Sequence, residues 1–228
     1  MALPRKWIMF FSTLLLILAV VMISFAFVRI QSGRGLPQTS TYEGTALNGE
    51  APDFQLIDQH GTEISLSDFR GNIVVLAFMD STCVDVCPLI SLHLRTVYQQ
   101  LTAVSGETVP VVFIGVNVNA KANSTQDVFQ FTVNNGLFTI PTWHFLTGSL
   151  DQMKKAWDAY SITVVASEES AKIIHTPGLY LIDENGEKAW YVAVPVRHDS
   201  TWQGPSLSEL LENRINDLLR RTLQEETL

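Results

Sequence analysis

Hydrophobic and polar positions divide the chain into three stretches of different rhythm. From Trp7 to Val28 nearly every position is apolar, interrupted only by Ser12, Thr13 and Ser24. At 1.5 Å rise per residue this run makes about 33 Å of helix, enough for a hydrocarbon core of about 30 Å. The apolar core of a cleavable signal peptide is shorter, about 7–15 residues, so residues 1–30 are expected to be an uncleaved N-terminal transmembrane anchor. Residues 31–50 lose periodicity, are rich in Gly, Ser, Thr and Pro, and read as a flexible linker. From residue 51 to 228 the pattern becomes that of a folded domain.

Within that domain, short alternating segments at 54–57 and 63–66 flank the turn-like Asp58-Gln-His-Gly61 and predict a hairpin. Ile73–Met79 and Val109–Val118 are continuous apolar, β-branched runs, the signature of central strands covered on both faces. Helical spacing follows each of them, over Leu89–Val104 and Thr125–Asn135, and again at Leu150–Tyr160. Gly178–Asp183 and Lys188–Val194 around Glu184-Asn-Gly186 predict an antiparallel hairpin. The last helix, Ser206–Leu223, opens with Ser206 and a capping-box Glu209. Strand and helix alternating, then a hairpin and a helix, predict a thioredoxin-like α/β three-layer sandwich of the glutaredoxin/peroxiredoxin type.

Charge narrows the partners. Residues 1–30 hold Arg5, Lys6 and Arg29 and no acid, so the remaining twelve cations face all 23 acids and residues 31–228 carry −11. Phosphate contacts need a Lys/Arg footprint, which excludes nucleic acid as the main partner. An N-terminal anchor followed by one large acidic domain places that domain outside the cytoplasm, at the cell membrane. Keeping only two cysteines in that oxidising setting points to chemistry. Two also exclude a four-cysteine zinc or iron–sulfur site.

Those two stand in Thr82-Cys-Val-Asp-Val-Cys-Pro88, directly after the first buried strand. Pro88 suits the first turn of a helix. A spacing of i, i+4 puts both side chains on one helical face, and the helix dipole favours thiolate over thiol. The C-x-x-x-C spacing is one residue longer than the redox pair of thioredoxins, which leaves a disulfide open to it. Two thiolates also make a soft clamp suited to Cu(I), and copper wants a third donor. Of the five histidines, His60, His93, His144 and His198 read as surface or structural. His175 stands just before the Gly178–Asp183 strand, in the loop that in such a fold packs against the cysteine-bearing helix start.

The soluble domain resembles the Sco/SenC family, membrane-anchored copper-binding proteins of cytochrome c oxidase assembly. The resemblance begins in Ala51–Asp58 and the Gly61–Phe78 run, shared with peroxiredoxins and TlpA-type reductases. It sharpens at Thr82–Pro88, Trp143–Ser149 and His175–Glu187. It implies Cys83, Cys87 and His175 as copper ligands, Cu(I) as cargo with Cu(II) as its oxidised form, and a copper metallochaperone. The implied partners are a copper donor protein and the copper-binding subunit of cytochrome c oxidase, whose dinuclear copper centre would be the acceptor. Two features depart from or blur the pattern. Ile174 stands where the family often has an acid, and Thr176-Pro177 falls where thioredoxins carry a cis-proline. The alternative is a thiol–disulfide oxidoreductase, with Cys83 attacking and Cys87 resolving. A peroxide-reducing role lacks both the proline before the cysteine and a placed arginine.

Overall fold

The structure, a computed structural model, describes residues 18–24, 42–105, 109–166, 173–194 and 204–225. The chain divides into two compact units, residues 1–41 and 42–228. In the first, residues 18–24 are helical. Among the described residues no helix is long and apolar enough to cross a membrane, and most of the expected span Trp7–Val28 lies outside them.

The second unit is built on a six-stranded sheet. Its strands are β1 (Thr45–Ala46), β4 (Ile73–Met79), β5 (Val111–Asn117), β6 (Trp143–Leu146), β9 (Leu179–Ile182) and β10 (Lys188–Val192), in the order β1-β10-β9-β4-β5-β6. β4, β5 and β6 run parallel, while β9, β10 and β1 are antiparallel additions. All seven residues of β4 and all seven of β5 are buried, as their unbroken apolar runs require of strands covered on both faces. One face carries Ile73, Val75, Ala77 and Met79 against α1 (Val86–Ser105), α2 (Thr125–Asn134) and α4 (Leu207–Glu225). The other carries Val74, Leu76 and Phe78 against α3 (Leu150–Ala159) and the separate hairpin of β2 (Gln55–Ile57) and β3 (Glu63–Ser65). Two apolar layers flank one sheet, giving the three-layer α/β sandwich of the thioredoxin-like class.

Close packing fixes one glycine. Gly115 lies in β5 opposite Phe145 of β6, and a Cβ placed there would stand 2.9 Å from both Phe145 and Trp143. α2 and α3 each begin with a serine whose hydroxyl accepts the backbone N–H of the third helical residue, Ser124 from Asp127 and Ser149 from Gln152.

Two features differ from the sequence expectation. Residues 42–50, read as the end of a linker, are built into the domain. β1 pairs with β10, Glu50 bridges to Glu187, and the Tyr42 hydroxyl accepts the Ala193 N–H. Their Gly- and Thr-rich composition hides this because β1 is two exposed residues held by backbone bonds alone. The second feature is a two-stranded ribbon, β7 (Val164–Ala166) with β8 (Ile173–His175), that the sequence pattern did not announce. It carries His175.

Candidate metal and thiol site

β4 delivers the chain into a tight loop, and α1 starts between the two cysteines. Pro88 sits in the first turn of α1, where its missing N–H costs nothing. The Cys83 N–H donates to the Asp80 carbonyl at 3.1 Å, and the Cys87 N–H donates to Cys83 Sγ at 3.4 Å. Both cysteines are free, Cys83 half-buried and Cys87 fully buried.

This geometry makes the two sulfurs unequal. Cys83 is held down to about 6, chiefly by the Cys87 thiol donating to it, with the N–H groups of Cys87, Asp85 and Val86 adding to the effect against the opposing cost of burial. Cys87 is pushed far up, because it is the donor in that bond, is desolvated and faces the Cys83 charge. At neutral pH the pair is one thiolate, Cys83, accepting from one thiol, Cys87. The Cys87 thiol is the principal donor, and three backbone N–H groups at the helix start reinforce it.

His175 ends β8. Its Nδ1 lies 3.1 Å from the Thr176 carbonyl, and a carbonyl can only accept, so the proton sits on Nδ1 and Nε2 keeps its lone pair. Burial lowers the imidazole below its ordinary value, partly offset by the Thr176 bond and the Asp80 charge, so the ring is neutral at pH 7. The structure brings the two sulfurs together. Among the described residues no three His, Cys, Asp or Glu stand close enough to hold a metal ion, so His175 is not drawn into one group with them. Pro177 is exposed, and no described peptide bond is cis.

The other histidines have structural surroundings. His144 lies 3.4 Å from buried Asp58 and against the Phe69 ring, His93 lies 3.3 Å from Ser208, and His60 sits in the hairpin turn beside Phe129. His198 is outside the described residues.

Behind the cysteine loop lies a polar cluster that reading the sequence missed. Asp80, 4% exposed, accepts on Oδ1 from the Thr82 N–H (2.8 Å), the Thr82 hydroxyl (3.0 Å) and Asn119 Nδ2 (2.8 Å). Asn119 Nδ2 also donates to Thr82 Oγ1 at 2.9 Å. Fully buried Asn117 accepts from the N–H groups of Ser81 and Asn119. The pairing of Met79 with Asn117 at the ends of β4 and β5 places these residues side by side. The available signal was that polar residues follow both apolar runs at once.

On the outer side, a cavity of about 400 Å³ opens beside Cys83, lined by Thr82, Val84, Pro88, Phe131 and Asn134 among others. Val84, which lines this cavity beside the reactive sulfur, is 85% exposed.

The SCO1/SenC family profile matches residues 43–201, a span that contains the whole cysteine loop and His175. The chain belongs to the SCO1/SenC family. Among its relatives, the SCO1 protein homolog of Bacillus subtilis is 26% identical over 143 residues, covering 62% of this chain and 72% of that protein. Among solved structures, Arabidopsis thaliana ScoI with copper bound aligns at TM-score 0.63 and 20% identity, covering 76% of this chain and 99% of that one. BsSco, described with a disulfide switch and as a member of the Sco family of cytochrome c oxidase assembly proteins, aligns at TM-score 0.60 and 21% identity over 77% of this chain and 96% of its own. These likenesses establish the family and the fold.

Proposed function

We propose that this chain is a copper metallochaperone of cytochrome c oxidase assembly, held at the membrane by residues 1–30 with its domain outside the cytoplasm. Cys83 and Cys87 bind one copper ion as thiolates and His175 completes the set through Nε2. The observation that carries this reading is the sulfur pair on one helical turn, one member already a thiolate at neutral pH. Soft thiolates select Cu(I), and a neutral imidazole with its tautomer fixed by a carbonyl is a ready third donor. Loading deprotonates Cys87, which releases a proton and makes affinity rise with pH. His175 ends a short ribbon rather than a strand of the main sheet. The exposed Val84 and the cavity beside Cys83 supply the surface on which a donor or the oxidase copper subunit docks, and an acidic domain favours basic patches on those partners.

The test is an anaerobic Cu(I) titration of the reduced chain against a chromogenic competitor. One equivalent bound tightly, and bound at least tenfold more weakly after His175→Ala, supports the three-ligand site. Unchanged affinity in that variant removes His175 from it.

The low pKa of Cys83 and the cavity beside it also favour a second reading, thiol–disulfide exchange with an acceptor. The Cys83 thiolate attacks one sulfur of a partner disulfide and the partner's other sulfur leaves as thiolate. Cys87, giving up its proton, then attacks Cys83 Sγ. The Cys83–Cys87 disulfide forms and the partner is left with two reduced sulfurs, two electrons having passed to it. A Cys87→Ser variant accumulates the mixed disulfide on Cys83 if this exchange operates. No trapped adduct with a disulfide-bearing acceptor fragment counts against it.

A further inference from the structure

The cysteine loop is backed by a carboxylate that binding alone does not require. Asp80 is 4% exposed and sits at the exit of β4, where its N–H is directed at the Cys87 sulfur and its carbonyl takes the Cys83 N–H at 3.1 Å. Its side chain receives donors and gives none. The Thr82 N–H and Asn119 Nδ2 can only donate, and the Thr82 hydroxyl, which accepts the second Asn119 hydrogen, spends its own proton on Asp80 Oδ1. Three donors on one oxygen are the surroundings of an ionised carboxylate. Its charge is felt by Cys87 and by His175, which stand on different elements, the first turn of α1 and the end of β8. A fixed negative charge shielded from water is screened less than one at the surface, and so it opposes any further negative charge the site gains.

We propose that the buried Asp80 carboxylate biases this site toward its oxidised states, lowering the reduction potential of both the Cys83–Cys87 pair and the copper bound there. The two couples share one electrostatic feature. Reducing the disulfide takes two electrons and one proton and yields one thiol and one thiolate, so the site becomes one charge more negative. Reducing Cu(II) to Cu(I) takes one electron with the same change. A carboxylate behind the sulfurs opposes both. The copper half rests on the metallochaperone reading; the sulfur half stands without it.

The test compares the wild-type chain with Asp80→Asn, in which the amide oxygen can take the place of Oδ1 and keep the donors while the charge is lost. The thiol–disulfide midpoint is read by equilibration in glutathione buffers and alkylation, and the copper couple by mediated spectroelectrochemistry. Both midpoints are expected to rise by the equivalent of at least tenfold in the oxidised-to-reduced ratio, about 30 mV for the two-electron couple and about 59 mV for the one-electron couple. Asn119→Ala, which loosens the loop but keeps the charge, leaves both midpoints in place. If Asp80→Asn does not fold, Asp80→Ser is the second neutral variant. A thiol–disulfide midpoint that stays put in the neutral variant overturns the proposal, as does an equal rise in Asn119→Ala, which would assign the effect to loop packing. A thiol midpoint that rises in a chain that binds no copper overturns the metallochaperone reading and its copper half, and upholds the sulfur half.

Discussion

A sulfur that accepts a thiol and several backbone N–H groups loses its proton more readily than free cysteine, and at Cys83 the result is a value near 6. Alkylation of Cys83 by iodoacetamide is therefore expected to rise with pH to a half-maximum near pH 6, about 2.5 units below that of free cysteine. Cys87→Ala removes the principal donor, so the half-maximum moves up. A profile that stays near pH 6 in that variant would assign the acidity to the helix start alone. Cys87 itself, being buried and pushed upward, stays protonated and unalkylated across the range in which Cys83 reacts. At this scale the sequence disclosed the cysteines and His175 but not their inequality, because burial and a bond across one turn cannot be counted from spacing. Asp80 and Asn119 were invisible for a related reason. They are 39 residues apart and meet only through the register of β4 on β5.

Elements were legible where one pattern dominated. β4 and β5 show as unbroken apolar runs because both their faces are covered, and α2 and α3 show by helical spacing, each held at its start by a serine cap. Ser124→Ala, which removes the acceptor for the Asp127 N–H, is expected to cost about 1 kcal/mol of unfolding free energy, read by denaturant titration. Gly115→Ala forces a methyl against Phe145 and Trp143 and is expected to cost about 1–3 kcal/mol. An unchanged midpoint would mean that β6 yields at no cost. Where two patterns competed the sequence was silent. α1 starts at Val86, while apolar spacing placed its start near Leu89 because Val84-Asp-Val86 favours no helix by propensity. The β7–β8 ribbon escaped because three-residue strands carry too little alternation to register.

For the whole molecule, charge and anchoring set where the chemistry takes place. On the proposed reading, an acidic domain tethered at the membrane of its acceptor meets it at an effective concentration fixed by the tether, and losing the tether would cost encounter rate rather than metal affinity. Full-length protein is expected to sediment with membranes and to keep the mass of residues 1–228, whereas removal of residues 1–30 releases it. A mature protein short of those residues would make it a secreted form. The most direct measurement is the anaerobic Cu(I) titration of the reduced full chain against a chromogenic competitor. The account predicts one copper per chain, lost in Cys83→Ser and Cys87→Ser and weakened at least tenfold in His175→Ala. A wild-type chain that takes no copper from the competitor while its disulfide reforms readily would contradict it and leave thiol exchange as the function.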